Sequence, residues 1–344
     1  MSAAPAALER HAAAVEAEMR AAFGQSDLPI YQMARYALGW EDQHGQPANA
    51  AGKGARSALV MLGADAISAE PEHQRRALAA AAAVEFVHNF SLVHDDIQDG
   101  DEERRGRPTV WRVWGVAQAI NAGDALRELA DQALRRGRLH GAPDDVVVDA
   151  ARRLNRATLR MIEGQYLDLA FEERSDVSVN EYLAMVERKT GAMMGVSLAL
   201  GAVFAGAASE QADALERAGQ RLGRCFQMRD DWLGIWADPE SLGKPTDADI
   251  RRRKKSFPVL HTLTHAPADA RRELQRIYQQ PQLSDVQVDW VHQLLSEVAA
   301  DAATERAATD EYHAFQRELA HCNPRPEAVA DLEALATFVL QRDR

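Results

Sequence analysis

The chain has 344 residues, of which 46% are hydrophobic and 27% charged, as in most globular proteins. Its formal net charge of −12 argues against nucleic-acid binding, which needs a basic surface. The two cysteines, Cys225 and Cys322, cannot build a disulfide framework, and the N-terminus lacks the apolar core of a signal peptide. We therefore expect a cytoplasmic, reducing location.

Helix-forming residues dominate the whole chain, and alternation over strand lengths is hard to find. Glycine- and proline-containing breaks fall near 44–52, 105–108, 141–143, 237–247 and 266–267. The segments between these breaks are long and periodic. The pattern predicts an all-α fold with about ten long helices in one large helical bundle. We expect a single domain over 1–344, with 1–25 as an N-terminal helix that precedes the first motif.

The first acidic cluster lies at the end of an apolar helical segment, 76–99. Steps of three and four residues follow one face of it: Ala81, Glu85, His88, Leu92, Asp95 and Asp99. Asp95 and Asp99 are one turn apart, and their charges repel unless a cation joins them. Such a pair suits Mg²⁺, and Arg104 and Arg105 follow as groups that could hold a diphosphate. The alternative is a solvated acidic helix end.

A segment without charges runs from Thr190 to Ser209, long enough to suggest a membrane span. Most of its residues are Gly, Ala, Ser and Thr, which permit close packing between helices. A central helix of a bundle is therefore the better interpretation, and no membrane span is expected. The capping-box pattern Ser178-Val-Asn-Glu181 predicts where the preceding helix begins.

A second acidic pair, Asp230 and Asp231, lies in a helical segment with Gln227. Another helical face, in 145–172, turns polar at Gln165 and Asp168. A loop after the second pair carries three further charged residues: Lys244, Asp249 and Lys254. Two acidic clusters ringed by Lys and Arg predict a metal–diphosphate site. The alternative for RRRKK at 251–255 is a solvated basic run.

Several ordered blocks resemble the trans-isoprenyl diphosphate synthases, also called polyprenyl synthetases. They are LVHDDIQD with RRGRPTVW, NAGDAL (121–126), GQYLDL (164–169), ERKTGAM (187–193), and FQMRDDWLG with GKPTDADIRRRKKSFP. The resemblance runs from about residue 30 to the C-terminal RDR. It implies an all-α bundle around a deep central cavity, usually a homodimer. The implied reaction joins isopentenyl diphosphate to an allylic diphosphate with a dimethylallyl, geranyl or farnesyl chain.

The resemblance also implies a metal centre and catalytic groups. It assigns three Mg²⁺ ions, with Mn²⁺ as a substitute, to five aspartates: Asp95, Asp96, Asp99, Asp230 and Asp231. Backbone carbonyls near Lys189 and Thr190 and the side chain of Gln227 would stabilise a carbocation. The residues with implied catalytic roles are Lys189, Thr190, Gln227, Asp95, Asp99 and Asp230.

Basic residues are assigned to two diphosphates in the same way. The allylic diphosphate would be held by Arg104, Lys189, Lys244 and Lys254. Isopentenyl diphosphate would be held by Lys53, Arg56, His88 and Arg105. Two positions depart from the family pattern. Gly54 stands where an arginine is common, which weakens the expected isopentenyl diphosphate site. Gly234 stands where many relatives have Asp, and Asp238 is a candidate to replace that carboxylate.

Product length is expected to depend on Phe90 and Ser91, just before the first acidic motif. In this family a bulky residue five positions before the first aspartate can form the floor of the tail cavity. The pattern resembles bacterial enzymes that stop at the C20 product, geranylgeranyl diphosphate, with the C15 product as the alternative. Two more remote alternatives are a class I terpene cyclase and a non-catalytic regulatory subunit of a hetero-oligomeric synthase.

Overall fold

Helices form nearly all of the regular structure in the computed structural model, which describes residues 6–24, 26–52, 54–237 and 247–341. The α-helices are α1 (Ala6–Glu9), α2 (Ala12–Ala22), α3 (Pro29–Ala37), α4 (Ala55–Ile67), α5 (Pro71–Gln98), α6 (Val110–Trp114), α7 (Val116–Arg135), α8 (Asp144–Glu172), α9 (Val179–Val186), α10 (Ala192–Phe204), α11 (Ser209–Trp236), α12 (Ala248–Arg251), α13 (Phe257–His265), α14 (Ala268–Tyr278), α15 (Asp285–Glu297), α16 (Ala300–His321) and α17 (Pro326–Gln341). A 3₁₀-helix (Arg136–His140) follows α7, and a π-helix (Glu187–Gly191) connects α9 to α10. The predicted all-α class is confirmed.

The N-terminal segment forms two helices, α1 and α2, where a single helix was expected. Both add apolar side chains to the core; those of Leu8, Val15 and Met19 are buried in the main hydrophobic cluster. The segment before the motifs is therefore packed onto the bundle.

Helix α10 lies at the centre of the bundle, and every one of its 13 residues is buried. It packs closely on α4, since a Cβ on Gly201 would collide with the carbonyl oxygen of Val60. This confirms that the charge-free segment is a central helix whose small residues allow neighbouring backbones to approach. At 1.5 Å per residue, α10 is also about 20 Å long, shorter than the hydrocarbon core of a bilayer.

Within the described residues, only α5 is long and apolar enough to cross a membrane by length and composition. Of its most apolar stretch, 67% is buried inside the bundle. A buried core helix meets the same criteria, so this observation is weak support for a span.

The two ends of α5 follow from local sequence. Pro71 occupies the first turn, where its missing N–H costs no helical hydrogen bond. At the other end Gly100 has φ of 68°, and the Asp101 N–H bonds the Asp96 carbonyl at 3.0 Å, which closes the helix. The first acidic motif is thereby held on the last turn.

A two-stranded antiparallel ribbon follows α5, pairing β1 (Glu103–Arg104) with β2 (Arg107–Pro108). The sequence predicted only a break at this point. Arg105 and Gly106 form the two-residue turn, with φ of 54° and 70°. Positive φ at both turn positions matches the twist of a tight hairpin. The ribbon fixes the backbone positions of Arg104 and Arg105, from which their side chains extend.

A second, smaller hydrophobic cluster lies towards the C-terminal third of the chain, built from α13, α14 and α15. Leu263 packs against both this cluster and the main one. Arg251, just before this region, pairs with Asp285 at its edge at 2.8 Å. The single-domain interpretation stays a prediction.

Candidate active site

Asp95 lies on the last turn of α5 and Asp99 is the C-cap of that helix, one turn apart as the sequence predicted. Burial raises the pKa of Asp95 to about 6; Lys189 opposes that shift and the Asp99 carboxylate adds to it. Burial also raises the pKa of Asp99, again against the charge of Lys189. These carboxylates are crowded and partly desolvated, and a bound cation would relieve both effects.

Asp96, between them in sequence, faces a different partner. Its side chain is 5% exposed, and its Oδ1 accepts a hydrogen bond from Arg104 Nε at 2.7 Å. Arg104 Nη2 also lies 2.7 Å from Asp96 Oδ1. The geometry therefore gives no support to Asp96 as a metal ligand. Instead it orients Arg104, whose remaining N–H groups are available to an anion.

Arg56, His88 and Arg105 form a basic cluster beside the acidic motif. Arg56 NH1 lies 3.1 Å from His88 Nε2, so the imidazole accepts from the guanidinium. Burial lowers the pKa of His88 well below its usual value, and the charges of Arg56 and Arg105 lower it further. His88 is therefore neutral, and the cluster offers N–H donors for an anion.

The loop before α4 lies against this cluster. A Cβ on Gly52 would lie 2.6 Å from the Arg105 guanidinium. The Ser57 N–H donates to Glu85 Oε1 at 3.0 Å, which fixes the start of α4 on α5. Gly54 is the N-cap of α4 with φ of 61°, a conformation that costs an arginine more than a glycine. Lys53 lies outside the described residues, so its assigned role stays a prediction.

The π-helix packs closely against two glycines, one on α8 and one on α11. A Cβ on Gly164 of α8 would collide with the Lys189 backbone, and one on Gly223 of α11 would lie 2.6 Å from Gly191. π-helices often occur at functional sites because they redirect side chains. Here the π-helix turns Lys189 towards Asp168, with which it forms an ion pair. The sequence predicts Asp168 only as a polar residue on one face of a helix, although its position in GQYLDL is a further signal.

Thr190 and Gln227 form a short hydrogen-bonded chain next to that ion pair. The Thr190 hydroxyl donates to Gln227 Oε1 at 3.1 Å, and Gln227 Nε2 donates to Asp231 Oδ1 at 3.1 Å. Both ends of the amide are thus engaged, so the orientation of Gln227 is fixed.

Asp231 is fully buried, at 0% exposed, and is saturated with donors. Besides Gln227, it accepts hydrogen bonds from Tyr182 Oη at 2.6 Å, from the Phe257 N–H at 3.0 Å and from Lys254 Nζ at 3.3 Å. A carboxylate with this many donors is stable without a metal. The geometry therefore gives no support to Asp231 as a metal ligand and indicates a positioning group.

Asp230, the neighbouring residue, belongs to the same site as the first motif. Burial lowers the pKa of Arg56, while three nearby carboxylates oppose the shift, in the order Glu85, Asp230 and Asp95. Asp95 and Asp230 therefore both lie near one guanidinium. The two acidic motifs, 135 positions apart (230 − 95), converge as the sequence predicted.

Lys254 lies between two carboxylates, 3.3 Å from Asp231 Oδ1 and 3.6 Å from Asp249 Oδ2. Burial alone would lower the pKa of Lys254, but these carboxylates outweigh it and raise the pKa well above its usual value. Lys254 is therefore a permanent cation in the second acidic cluster. Lys244 and Asp238 lie outside the described residues.

The basic run 251–255 is solvated only in part, because Arg251 and Arg252 are exposed whereas Lys255 is buried. Arg252 pairs with Asp101 at 2.7 Å and thereby joins this segment to the end of α5. Arg253 donates to the backbone carbonyl of Gln280. Lys254 points into the site, so Arg252, Arg253 and Lys254 each contact a different partner. Long-range partners of this kind leave no trace in local sequence.

The Asp249 carboxylate occupies the space beside Gly234. Its Oδ2 lies 2.5 Å from the position that a Cβ on Gly234 would take. Burial raises the pKa of Asp249, and Lys254 opposes that shift. Many relatives are expected to carry an Asp at position 234; here Asp249 of α12 places a carboxylate in that space instead. The sequence placed Asp249 in the loop after the second acidic pair but predicted no specific role for it.

A cavity of about 350 Å³ extends from the charged groups into the bundle. Its charged and polar end includes Arg56, His88, Asp95, Lys189 and Thr190. Its other lining residues include Phe90, Ser91, His94, Met161, Ile162, Tyr166 and Leu169, of which Ile162 and Tyr166 are also exposed on the surface of α8. Phe90 is buried and meets the His94 ring edge-on at 5.0 Å. One cavity therefore combines an ion-binding end with an apolar end.

A complete protein cage for a metal is not formed by the residues that the structure describes, since no three His, Cys, Asp or Glu side chains converge for that purpose. Mg²⁺ does not need such a cage, because it usually takes one or two carboxylates plus substrate phosphates and waters. The crowded Asp95 and Asp99 carboxylates fit that donor set. The residues present are therefore compatible with Mg²⁺ held jointly with a diphosphate.

The fold and this paired-acid cavity define the class of all-α isoprenoid synthases, and comparison with known proteins agrees. Residues 43–295 match the Polyprenyl synthetase family. A polyprenyl synthetase from Streptomyces coelicolor A3(2), a solved structure, superposes with a TM-score of 0.88 at 38% identity, covering 97% of this chain and 98% of that one. The chain belongs to the polyprenyl synthetase family.

Two relatives from Mycobacterium tuberculosis are similar in sequence. A (2E,6E)-farnesyl diphosphate synthase is 46% identical over 238 residues, which is 69% of this chain and 64% of that protein. A geranylgeranyl diphosphate synthase is 39% identical over 320 residues, 92% of this chain and 87% of that protein. The chain thus aligns with slightly less than two thirds of the first relative and most of the second.

Proposed function

We propose that this protein is a trans-prenyltransferase that joins isopentenyl diphosphate to an allylic diphosphate. The observation that carries this proposal is a cavity lined both by apolar side chains and by charged groups, among them Arg56 and Asp95, with Asp230 of the second acidic motif close to Arg56. Such a cavity suits a ligand with a diphosphate head and a hydrocarbon tail. The names of the relatives in the same family support the same class of substrate.

We further propose that Mg²⁺ binds at Asp95, Asp99 and Asp230 together with the allylic diphosphate. When bound, Mg²⁺ withdraws negative charge from the diphosphate and so makes it a better leaving group. Lys189 lies near Asp95 and Asp99, and Lys254 lies near Asp230, so both would add positive charge where the leaving group develops negative charge. Asp96 would act by holding Arg104 towards the same group.

The basic cluster of Arg56, His88 and Arg105 would hold the diphosphate of isopentenyl diphosphate beside the first site. Its double bond would then attack the allylic carbon, and the condensed product would lose a proton to the released diphosphate. The Gln227 oxygen, fixed by Thr190, would face the positive charge that develops on the allylic carbon. The apolar walls would keep water from reacting with that carbon.

For the product we propose the C20 chain, with C15 as the alternative. Phe90 and Ser91 line the cavity below Asp95, which supports their expected role as its floor. The relatives include both farnesyl and geranylgeranyl diphosphate synthases, so similarity favours neither length. The tail cavity of this chain must therefore be probed directly.

We propose a homodimer, formed through α7 and α8. Exposed large apolar side chains concentrate on these two helices: Val116, Ile120, Val148, Leu159, Ile162 and Tyr166. Residues 148, 159, 162 and 166 share one face of α8. A continuous apolar face of this kind is typical of protein interfaces. The cytoplasmic location and the use of Mn²⁺ stay predictions.

The test is to incubate the pure protein with Mg²⁺, labelled isopentenyl diphosphate and each allylic primer, and to size the dephosphorylated products. We expect elongation with at least one primer and a C20 end product. Products formed from a primer without added five-carbon units would instead indicate a cyclase. No turnover with any primer would contradict the proposal and favour a regulatory subunit.

A further inference from the structure

A second cavity lies beside the basic segment and shares no lining residue with the cavity of the candidate active site. It has a volume of about 190 Å³, room for several water molecules, and lies between the C-terminal end of α8, the segment 253–255 and α14. Arg253, Lys255 and Tyr278 line it, while Lys254 between them in sequence turns the other way, towards Asp231. Neighbouring side chains of this segment therefore face two different sites.

The cavity holds cationic groups that lack a carboxylate partner. Within the described residues, neither Arg253 nor Lys255 has an acidic side chain at ion-pair distance; Arg253 donates to a backbone carbonyl, and its Nε is buried without a partner. Lys255 is only 8% exposed, and its ammonium lies 4.9 Å from the Tyr278 ring. Burial lowers the pKa of Lys255, and the charge of Arg253 adds to that effect, while the Glu172 carboxylate opposes it from beyond ion-pair distance.

A third donor points into the same space. Tyr278 is 6% exposed, and its buried hydroxyl has no hydrogen-bond partner. Buried polar groups are nearly always paired, so an unpaired hydroxyl beside the buried Lys255 and the buried Nε of Arg253 indicates that something else completes the site. Glu172 and Glu173 also line the cavity, but both are exposed, so solvent weakens their repulsion of an anion.

We propose that this cavity binds a phosphate-type oxyanion through Arg253, Lys255 and the Tyr278 hydroxyl. A tetrahedral oxyanion has enough acceptor oxygens for all three donors, and its charge offsets the cost of burying the Lys255 ammonium next to Arg253. Because Lys254 lies between two of these groups, the bound anion holds the segment that presents Lys254 to the catalytic site. The site is separate from the two diphosphate positions proposed above and does not depend on the reaction.

The experiment measures binding of inorganic phosphate by calorimetry without divalent cations, with inorganic diphosphate as a second arm. We expect Lys255→Met to weaken phosphate binding at least tenfold, and Tyr278→Phe to weaken it severalfold, because each removes one donor. Arg105→Gln, in the other basic cluster, is the control and should leave this binding unchanged. Thermal unfolding without phosphate checks that each variant is folded.

A second readout follows the segment itself. Hydrogen exchange of the amides in 251–257 should slow when phosphate is added to the wild-type protein and stay unchanged in Lys255→Met. Phosphate affinity in folded Lys255→Met within twofold of wild type would overturn the proposal. So would loss of phosphate binding in Arg105→Gln, because the anion would then lie in the catalytic site.

Discussion

The Asp249 carboxylate lies in the space that a side chain on Gly234 would need, with Oδ2 2.5 Å from the position of a Cβ there. The two residues come from different helices, α12 and α11. Asp249 also lies 3.6 Å from Lys254. The Asp249 carboxylate, which comes from α12, therefore fills the space that a side chain at residue 234 would otherwise occupy.

Adding a side chain at residue 234 should displace Asp249. We expect Gly234→Ala to lower kcat/KM about tenfold, because overpacking of about 1–3 kcal/mol must be relieved by moving Asp249 away from Lys254. Steady-state kinetics with saturating Mg²⁺ measures the effect.

A double-mutant cycle supplies the control for this pair. In an Asp249→Ala background the same Gly234→Ala change should cost little, because the side chain with which it collides is gone. Gly234→Asp in that background should restore part of the lost activity by returning a carboxylate to the same space. Equal losses from Gly234→Ala in both backgrounds would show that the two residues act independently.

The site residues that could be predicted from sequence are those whose partners lie close to them in the chain. Asp95 and Asp99 were predictable, since helical spacing alone puts them on one turn. The donors that saturate Asp231 come from three other helices or loops, so nothing near that residue indicates that it is a positioning group. The all-α class was predictable because periodic helical segments fill the chain, whereas the ribbon at 103–108 was too short to give a strand pattern.

The tail cavity gives the prediction on product length. Phe90 is buried against His94 and lines the deep part of the cavity, so Phe90→Ala should open space below Asp95 and lengthen the product by at least one five-carbon unit. Ser91→Ala, the adjacent lining residue with a much smaller change of volume, is the matched control. Chromatography of dephosphorylated products gives the answer. An unchanged product length in a folded Phe90→Ala variant would remove Phe90 from the floor.

The exposed face of α8 gives a prediction on assembly. Leu159 is 58% exposed on the apolar face that also carries Ile162 and Tyr166. A buried charge at an interface is costly, so Leu159→Glu should shift the protein from dimer to monomer in sedimentation velocity. Turnover should fall as well, because Ile162 and Tyr166 line the tail cavity and would be open to water.

The control for assembly is Val286→Glu, which places the same charge at an apolar side chain that is 77% exposed on α15. It should leave the dimer intact. A wild-type protein that sediments as a monomer at micromolar concentration would be inconsistent with the proposed interface.

His88 gives a prediction on pH and stability. Burial and the charges of Arg56, Arg105 and Arg104 hold the pKa of His88 well below its unfolded value of about 6.5. Below pH 6.5 the unfolded chain therefore takes up a proton at this residue that the folded chain does not, so the stability contribution present above pH 6.5 is lost as pH falls. Between pH 7.5 and 5.5 the wild-type protein should lose about 1 kcal/mol of unfolding free energy that His88→Gln does not lose. Urea unfolding at both pH values measures this difference, and the exposed His313→Gln should behave like wild type. If His88→Gln loses as much stability as wild type over that range, the imidazole is not held neutral by its three arginine neighbours.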